Sequence, residues 1–125
     1  MPTSTTVLQA HCAKNLVGLE VTVWPGTLQL GLTQTGVEIA ATGYGRLSLP
    51  MNGATTWVLN ADGYTVSNIV TLSFNGGVAL AVDWPQVDGF VIYNAAELWW
   101  QGSLAQPIAP RAGTIPAFTA GQIVF

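Results

Sequence analysis

The chain has 125 residues, enough for one domain, and only 7% of them are charged, against about 25% in ordinary soluble domains. A net charge of −3 with three basic residues argues against nucleic acid or an anionic membrane as a partner, since both need several Lys or Arg side chains acting together. The single cysteine, Cys12, excludes an intrachain disulfide. Half of the residues are hydrophobic and five are Trp, so the chain should fold rather than stay disordered.

The first predicted element is a short helix near the start of the chain. Thr6 and Gln9 have the spacing of a capping box, and Gly18 lies where a left-handed C-terminal cap would fall. We interpret residues 1–20 as an N-terminal arm with this helix, and residues 21–125 as a single β-sandwich domain.

From Val21 onward, short runs of strand-forming residues alternate with turn residues. The runs cover residues 27–32, 46–49, 56–59, 67–74, 78–82, 89–93, 98–104 and 122–125. They predict a mainly β fold, an antiparallel β-sandwich or jelly-roll-like domain of about eight short strands with a short N-terminal helix. Asn75-Gly76-Gly77 is typical of a hairpin turn because glycine tolerates a positive φ.

Few residues offer catalytic or metal-binding chemistry. His11 and Cys12 are the only such pair, and neighbours on a helix point about 100° apart, so we expect Cys12 in the core and His11 on the polar face. Structural zinc needs about four Cys or His ligands, and the chain has two such residues. Asp83 and Asp88 flank a turn and are interpreted as a solvated loop rather than an acid–base pair. We therefore expect no enzymatic activity, no metal and no cofactor.

The tryptophans point more clearly to function. Trp99 and Trp100 are neighbours on a predicted strand, so we expect one ring in the core and the other exposed or covered by another chain. Trp24, Trp57 and Trp84 lie beside turns, where full burial is not expected. Protein interfaces are enriched in Trp and depleted in charge, which fits this composition.

Several short strings follow one another along the chain in a recognisable order. They are Leu28 to Thr33, Gly43-Tyr44-Gly45-Arg46 with Leu47-Ser48-Leu49, Ser67-Asn68 through Ser73-Phe74, Trp84-x-x-Val87, Gly89-Phe90, Tyr93-Asn94-Ala95, Trp100-x-Gly102-x-Leu104, and Ala112-Gly113 through Gly121. In this order of strings the chain resembles a family of small virion proteins of tailed bacteriophages, whose members often carry the label of tail fibre protein and include capsid decoration, or cement, proteins. The resemblance covers residues 28–125. The residues of 55–63 and the pair Trp99-Trp100 depart from the family pattern.

The resemblance implies a structural virion protein on the capsid surface, made in the cytoplasm of the bacterial host. It implies a decoration protein that binds the lattice of the major capsid protein and other copies of itself, as a homodimer or homotrimer. A tail-fibre module that binds a receptor or carbohydrate is the alternative. The side chains assigned to a protein interface are Pro2, Thr3, Ser4, Thr5, Thr6, Trp84, Trp99, Trp100, Ile123, Val124 and Phe125. Phe125 is a large apolar side chain at the last residue, which a monomer has little reason to keep.

Overall fold

The fold was analysed on a computed structural model, which describes residues 3–21 and 24–125. Within these residues the chain forms ten short strands and one helix, and the strand pairs are antiparallel. The predicted mainly β, sandwich-like fold with a short N-terminal helix is therefore confirmed. The strands differ from the predicted ones because β1, β3 and β10 have only two residues each and leave no periodic signal. The predicted run 67–74 divides into β6 and β7, and the runs 78–82 and 122–125 form no strand.

The helix α1 spans Thr6–Leu16, close to its predicted position. Its N-cap is Thr5 rather than Thr6, since the Thr5 side chain accepts a hydrogen bond from the backbone N–H of Leu8 at 3.4 Å. Gly18 has φ +78°, and the N–H of Leu19 bonds to the carbonyl of Lys14 at 2.9 Å. The predicted left-handed C-terminal cap is thus confirmed.

One main sheet organises the domain. The ten strands are β1 Thr3–Ser4, β2 Thr27–Gln34, β3 Val37–Glu38, β4 Leu47–Pro50, β5 Trp57–Leu59, β6 Val66–Asn68, β7 Leu72–Ser73, β8 Val87–Asn94, β9 Glu97–Ile108 and β10 Ala117–Phe118. The main sheet has the order β1-β9-β8-β2-β3, and β4 pairs with the first half of β2. The three central strands β9, β8 and β2 form the longest ladders of the sheet. The other elements of the fold pack around these three strands.

The second layer is made of two small sheets and the C-terminal segment. β5 pairs with β6, and β10 pairs with β7. Val66 and Phe125 exchange both backbone hydrogen bonds, at 3.1 and 2.9 Å, so the end of the chain continues the β5–β6 pair. Asn68, which is 1% exposed, donates to the carbonyls of Val70 and Thr119 and accepts from the N–H of Ile123. One amide therefore joins β6 to the C-terminal segment.

The glycine-rich turn does not form the predicted hairpin. Asn75–Gly77 is a short 3₁₀ turn, and residues 78–82 form no strand. Leu80 instead exchanges backbone hydrogen bonds with Gly113 and Thr114, at 2.8 Å each, so its pairing partner is distant in sequence. The β2–β3 hairpin turns at Thr35-Gly36, where both residues have positive φ.

The core lies mainly on one face of the main sheet. Leu28, Leu30 and Leu32 alternate along β2 as predicted and are at most 3% exposed. The other face of β2 is covered at Gly31, where an added Cβ would collide with the Glu38 carboxylate and lie 3.1 Å from the Tyr44 hydroxyl. Glycine is thus required there by close approach rather than by backbone angle.

Asn68→Ala tests the importance of the buried amide. It leaves the N–H of Ile123 and two carbonyls without their partner, so we expect a loss of about 2–3 kcal/mol in the free energy of unfolding. The measurement is urea unfolding followed by Trp fluorescence. Asn52→Ala is the control, because Asn52 is exposed and makes no side-chain cap. Equal unfolding midpoints for the two variants would contradict the prediction.

Candidate protein-binding surface

The N-terminal arm lies on the edge of the main sheet. Thr3 and Ser4 pair with Gln101 and Trp100 of β9, while the Thr5 hydroxyl donates to the carbonyl of Leu98 at 2.6 Å. Thr6 begins α1, and Pro2 lies outside the described residues. The arm residues that we assign to an interface therefore bind to the main sheet of their own chain.

The two neighbouring tryptophans sit at a β-bulge. The pairing of β8 with β9 shifts between Ile92 and Tyr93, which leaves Trp99 out of the ladder. Trp99 is buried at 2% exposure, as expected for one of the pair. Trp100 is half-buried, and the ring that covers it is Phe125 of the same chain, 4.9 Å between centroids. The Trp100 ring is therefore covered in part by its own chain, without another protein.

The C-terminal residues belong to the domain's own packing. Ile123 is buried, and Phe125 contacts both Trp57 and Trp100, with ring centroids 5.5 and 4.9 Å away. Val124 forms a β-bridge with Ser67. A single chain thus already uses its C-terminal aromatic ring, and the assignment of Ile123-Val124-Phe125 to an interface stays a prediction.

Trp84 is also an internal residue. It is 4% exposed, its indole N–H donates to the carbonyl of Thr42 at 3.0 Å, and its ring meets Tyr44 and Phe74 edge-on. The expectation that it stays partly exposed beside its turn is wrong, because residues distant in sequence close over it. Trp57 is half-buried.

Exposed apolar side chains cluster in sequence where α1 ends. We call Leu16, Val17, Leu19, Val21 and Trp24 the helix-end surface. Leu19 and Val21 are 80% and 91% exposed, and Trp24 is 52% exposed. Sequence reasoning assigned these residues to no site, although the apolar run after the helix cap was the available signal.

Within α1, apolar side chains are also largely exposed, which explains part of this surface. Leu8 is the only buried residue among those of α1, whereas Cys12 is exposed and Leu16 is 87% exposed. The expected burial of Cys12 is therefore wrong. Leu8 joins the core and His11 contacts Trp99 and Glu97 of β9, whereas Leu16 at the C-terminal end of the helix stays exposed.

A second exposed apolar group lies in the other layer. We call it the β5–β6 surface, and its members are Val58, Leu59, Tyr64, Ile69 and Val70, between 41% and 78% exposed. These residues belong to β5, to the turn after it and to the segment that follows β6. Among the described residues, these two groups of exposed apolar side chains lie on different elements, and further exposed ones, such as Val37, Val78 and Ile115, lie outside both.

His11 connects the helix-end surface to the main sheet. Its Nδ1 lies 2.8 Å from Glu20 Oε1 and its Nε2 lies 3.2 Å from Glu97 Oε1. Its ring packs against Trp99, which in turn meets Trp24 edge-on at 5.8 Å. The hydrogen bonds to Glu20 and then to Glu97 raise the pKa of His11, because both ring nitrogens can donate only in the protonated form.

The carboxylate groups accept hydrogen bonds from other residues of the same chain. Glu38 binds Arg46 through two short hydrogen bonds and accepts from the Tyr44 hydroxyl at 2.5 Å. Arg46 and Tyr44 lower the pKa of Glu38. Asp83 and Asp88 each accept a backbone N–H, from Ala112 and Thr35, which ties down loops. Within the described residues, no cluster of His, Cys, Asp or Glu is arranged to hold a metal ion.

The pairing of His11 predicts a pH-dependent stability. Its raised folded-state pKa stabilises the fold below about pH 6.5, the unfolded value, and this contribution is lost as pH rises through the folded pKa. We expect the urea midpoint to fall between about pH 6 and about pH 8, and His11→Gln to remove that part of the fall, since His11 is the only histidine. Parallel pH dependences in the two proteins would contradict this assignment.

Comparisons with known proteins add no relative. Neither the models of known protein families nor the curated proteins gave a match. In the part of the chain that the structure describes, no helix has the length and apolar character required to cross a membrane.

Proposed function

We propose that this protein is a non-enzymatic structural protein of a tailed-phage virion, a capsid decoration protein that binds the major capsid lattice and further copies of itself. The observation that carries the proposal is the presence of two uncovered apolar groups, the helix-end surface and the β5–β6 surface, on a chain with very few charges. The order of the sequence motifs resembles that of a family of phage virion proteins, and this resemblance points to the capsid lattice as the partner.

Apolar side chains on these two surfaces would gain stability from cover by a partner. Burying a side chain such as Leu19 or Leu59 is worth about 1.5–3 kcal/mol, and these two are 80% and 60% exposed. Interface cores are depleted in charge and enriched in aromatic residues. Because the carboxylates are engaged within the chain, these surfaces would meet a partner through apolar contact rather than through charge pairing.

Two surfaces suit the task of a cement protein. Bracing a joint needs contact with at least two neighbours, and the helix-end and β5–β6 surfaces lie on different elements. Each copy would bury apolar area on both sides of a joint. Binding to the assembled shell but not to separated subunits then stabilises the shell by mass action.

The carbohydrate-binding alternative finds less support. It relied on the tryptophans beside turns, and Trp84 is buried while Trp57 donates its indole N–H inward to Pro50 at 2.6 Å. Trp24 remains half-exposed, but its neighbours on the helix-end surface are apolar. A sugar platform needs polar side chains beside the ring to fix orientation.

Shell binding tests the proposal directly. Capsid shells of the phage that encodes this chain, prepared without it, are mixed with the purified protein and sedimented. We expect the wild type to sediment with the shells and to raise the temperature at which they open. Leu59→Asp should weaken binding roughly 10- to 100-fold, because a charge replaces an apolar contact.

Val37→Asp is the matched control, since Val37 is 71% exposed and lies outside both surfaces. It should bind as the wild type does. Absence of the wild-type protein from the shell pellet would overturn the decoration proposal. Clear binding to a glycan array, lost in Trp24→Ala, would favour the tail module instead.

A further inference from the structure

The outer edge of β5 is open. β5 pairs with β6 in an unbroken antiparallel register, in which alternate residues turn their N–H and C=O groups toward the partner strand. The N–H of Asn60 bonds to the carbonyl of Thr65 at 2.8 Å, so Val58, which precedes Asn60 by one full repeat of the ladder, also faces β6. Trp57 and Leu59 then face outward, and in the part of the chain that the structure describes their N–H and C=O groups have no hydrogen-bond partner. These backbone groups are available to an added strand.

Other strand edges carry protection that β5 lacks. Proteins usually guard an exposed edge with a charge, a proline, a bulge or a covering segment. The arm strand β1 covers part of β9, β4 ends in Pro50, and β3 carries the charged Glu38. β5 has the sequence Trp-Val-Leu and none of these devices. An edge of this composition is suited to pairing with another chain.

The side chains around this edge are apolar on both faces of the strand. Val58 is 48% exposed on one face, and Leu59, 60% exposed, shares the opposite face with Trp57. Neither β5 nor β6 contains a charged residue. The carboxylate of Asp62, in the turn between them, accepts the N–H of Tyr64 at 3.0 Å. A strand added along β5 would therefore gain apolar contacts on both faces.

A second copy of β5 fits this edge because two identical antiparallel strands pair with twofold symmetry. When Val58 lies opposite the partner's Val58, Trp57 of each copy lies opposite the partner's Leu59. Each of these two Trp–Leu pairs exchanges both backbone hydrogen bonds, so every outward group of both strands is satisfied. A register centred on Trp57 or on Leu59 would pair one of them with a residue outside the strand.

We propose that two copies of this protein join through their β5 edges, antiparallel and centred on Val58. The β5–β6 pairs of the two copies then form one continuous sheet, and the contact is isologous. The Val58 side chains meet on one face, while Trp57 and the partner's Leu59 form an apolar cross-strand pair on the other. The inference rests on the self-association within the proposed function and names its surface. It leaves the helix-end surface of each copy free for the shell.

Charge variants at Val58 test this register in the full-length chain. Val58→Lys and Val58→Glu each place like charges directly opposite one another across the twofold axis, which destabilises the pair. The joint is short, so dimerisation is measured by analytical ultracentrifugation at concentrations up to about 1 mM. We expect the wild type to dimerise, and each variant alone to associate roughly 10- to 100-fold more weakly. An equimolar mixture should form a heterodimer more tightly than either variant associates alone, because opposite charges then face each other.

A disulfide between copies checks the same register. The background is Cys12→Ser, because Cys12 is exposed and could form bridges of its own. In this background Val58→Cys should give a covalent dimer on mild oxidation, since side chains lie closest in a non-hydrogen-bonded antiparallel pair. Val37→Cys is the matched control, because Val37 is 71% exposed but lies on β3, and it should stay free of covalent dimer. Circular dichroism checks the folding of all variants.

Three results would overturn the joint: a strictly monomeric wild type, undiminished dimerisation of both charge variants, or a mixture that associates no more tightly than either variant alone. A contact between two helix-end surfaces would give the second result. These measurements contain no capsid protein, and the shell test is decided by the wild-type protein, so the two failures are distinguishable. A heterodimer together with failed sedimentation would support the joint and reject the decoration role. A monomeric wild type that sediments with the shells would do the reverse.

Discussion

The bulge in β9 is the constraint on which the two ends of the chain depend. Trp99 lies outside the ladder with β8. The two adjacent indole rings, Trp99 and Trp100, therefore pack against different parts of the chain. Trp99 receives His11 of the helix and Trp24 of the following segment, while Trp100 receives Phe125 at the C-terminus. A regular strand would send these rings to opposite sides by simple alternation. The bulge changes the direction of the two tryptophan side chains. The helix and the C-terminal segment therefore both pack against the same short stretch of β9.

The scarcity of charge has a structural counterpart in how the charges are used. Glu38 with Arg46 covers one face of the main sheet, and Glu20 with Glu97 holds the helix through His11. These carboxylates are already paired with other groups of the same chain. The helix-end and β5–β6 surfaces are then left apolar, which favours protein contact over electrostatic recognition and gives the proposed cement role its physical basis.

Interface residues proved harder to predict than strands. Trp84 lies beside a turn and Phe125 is the last residue of the sequence, yet both pack within the chain. Their partners, Thr42 and Tyr44 for Trp84 and Trp57 for Phe125, lie far away in sequence. Periodicity reports which residues share a face of one element, but it carries no information on which distant element will cover that face.

Local backbone preference and the period of apolar residues predict the class of fold, the helix with its Gly18 cap, and the alternation that buries Leu28, Leu30 and Leu32. Contacts between distant elements determine that the residues after Asn75–Gly77 pair with 113–114 rather than in a hairpin. They also determine that Leu19 and Val21 stay uncovered. The physical reason is that burial depends on contacts between elements far apart along the chain, which local pattern does not encode.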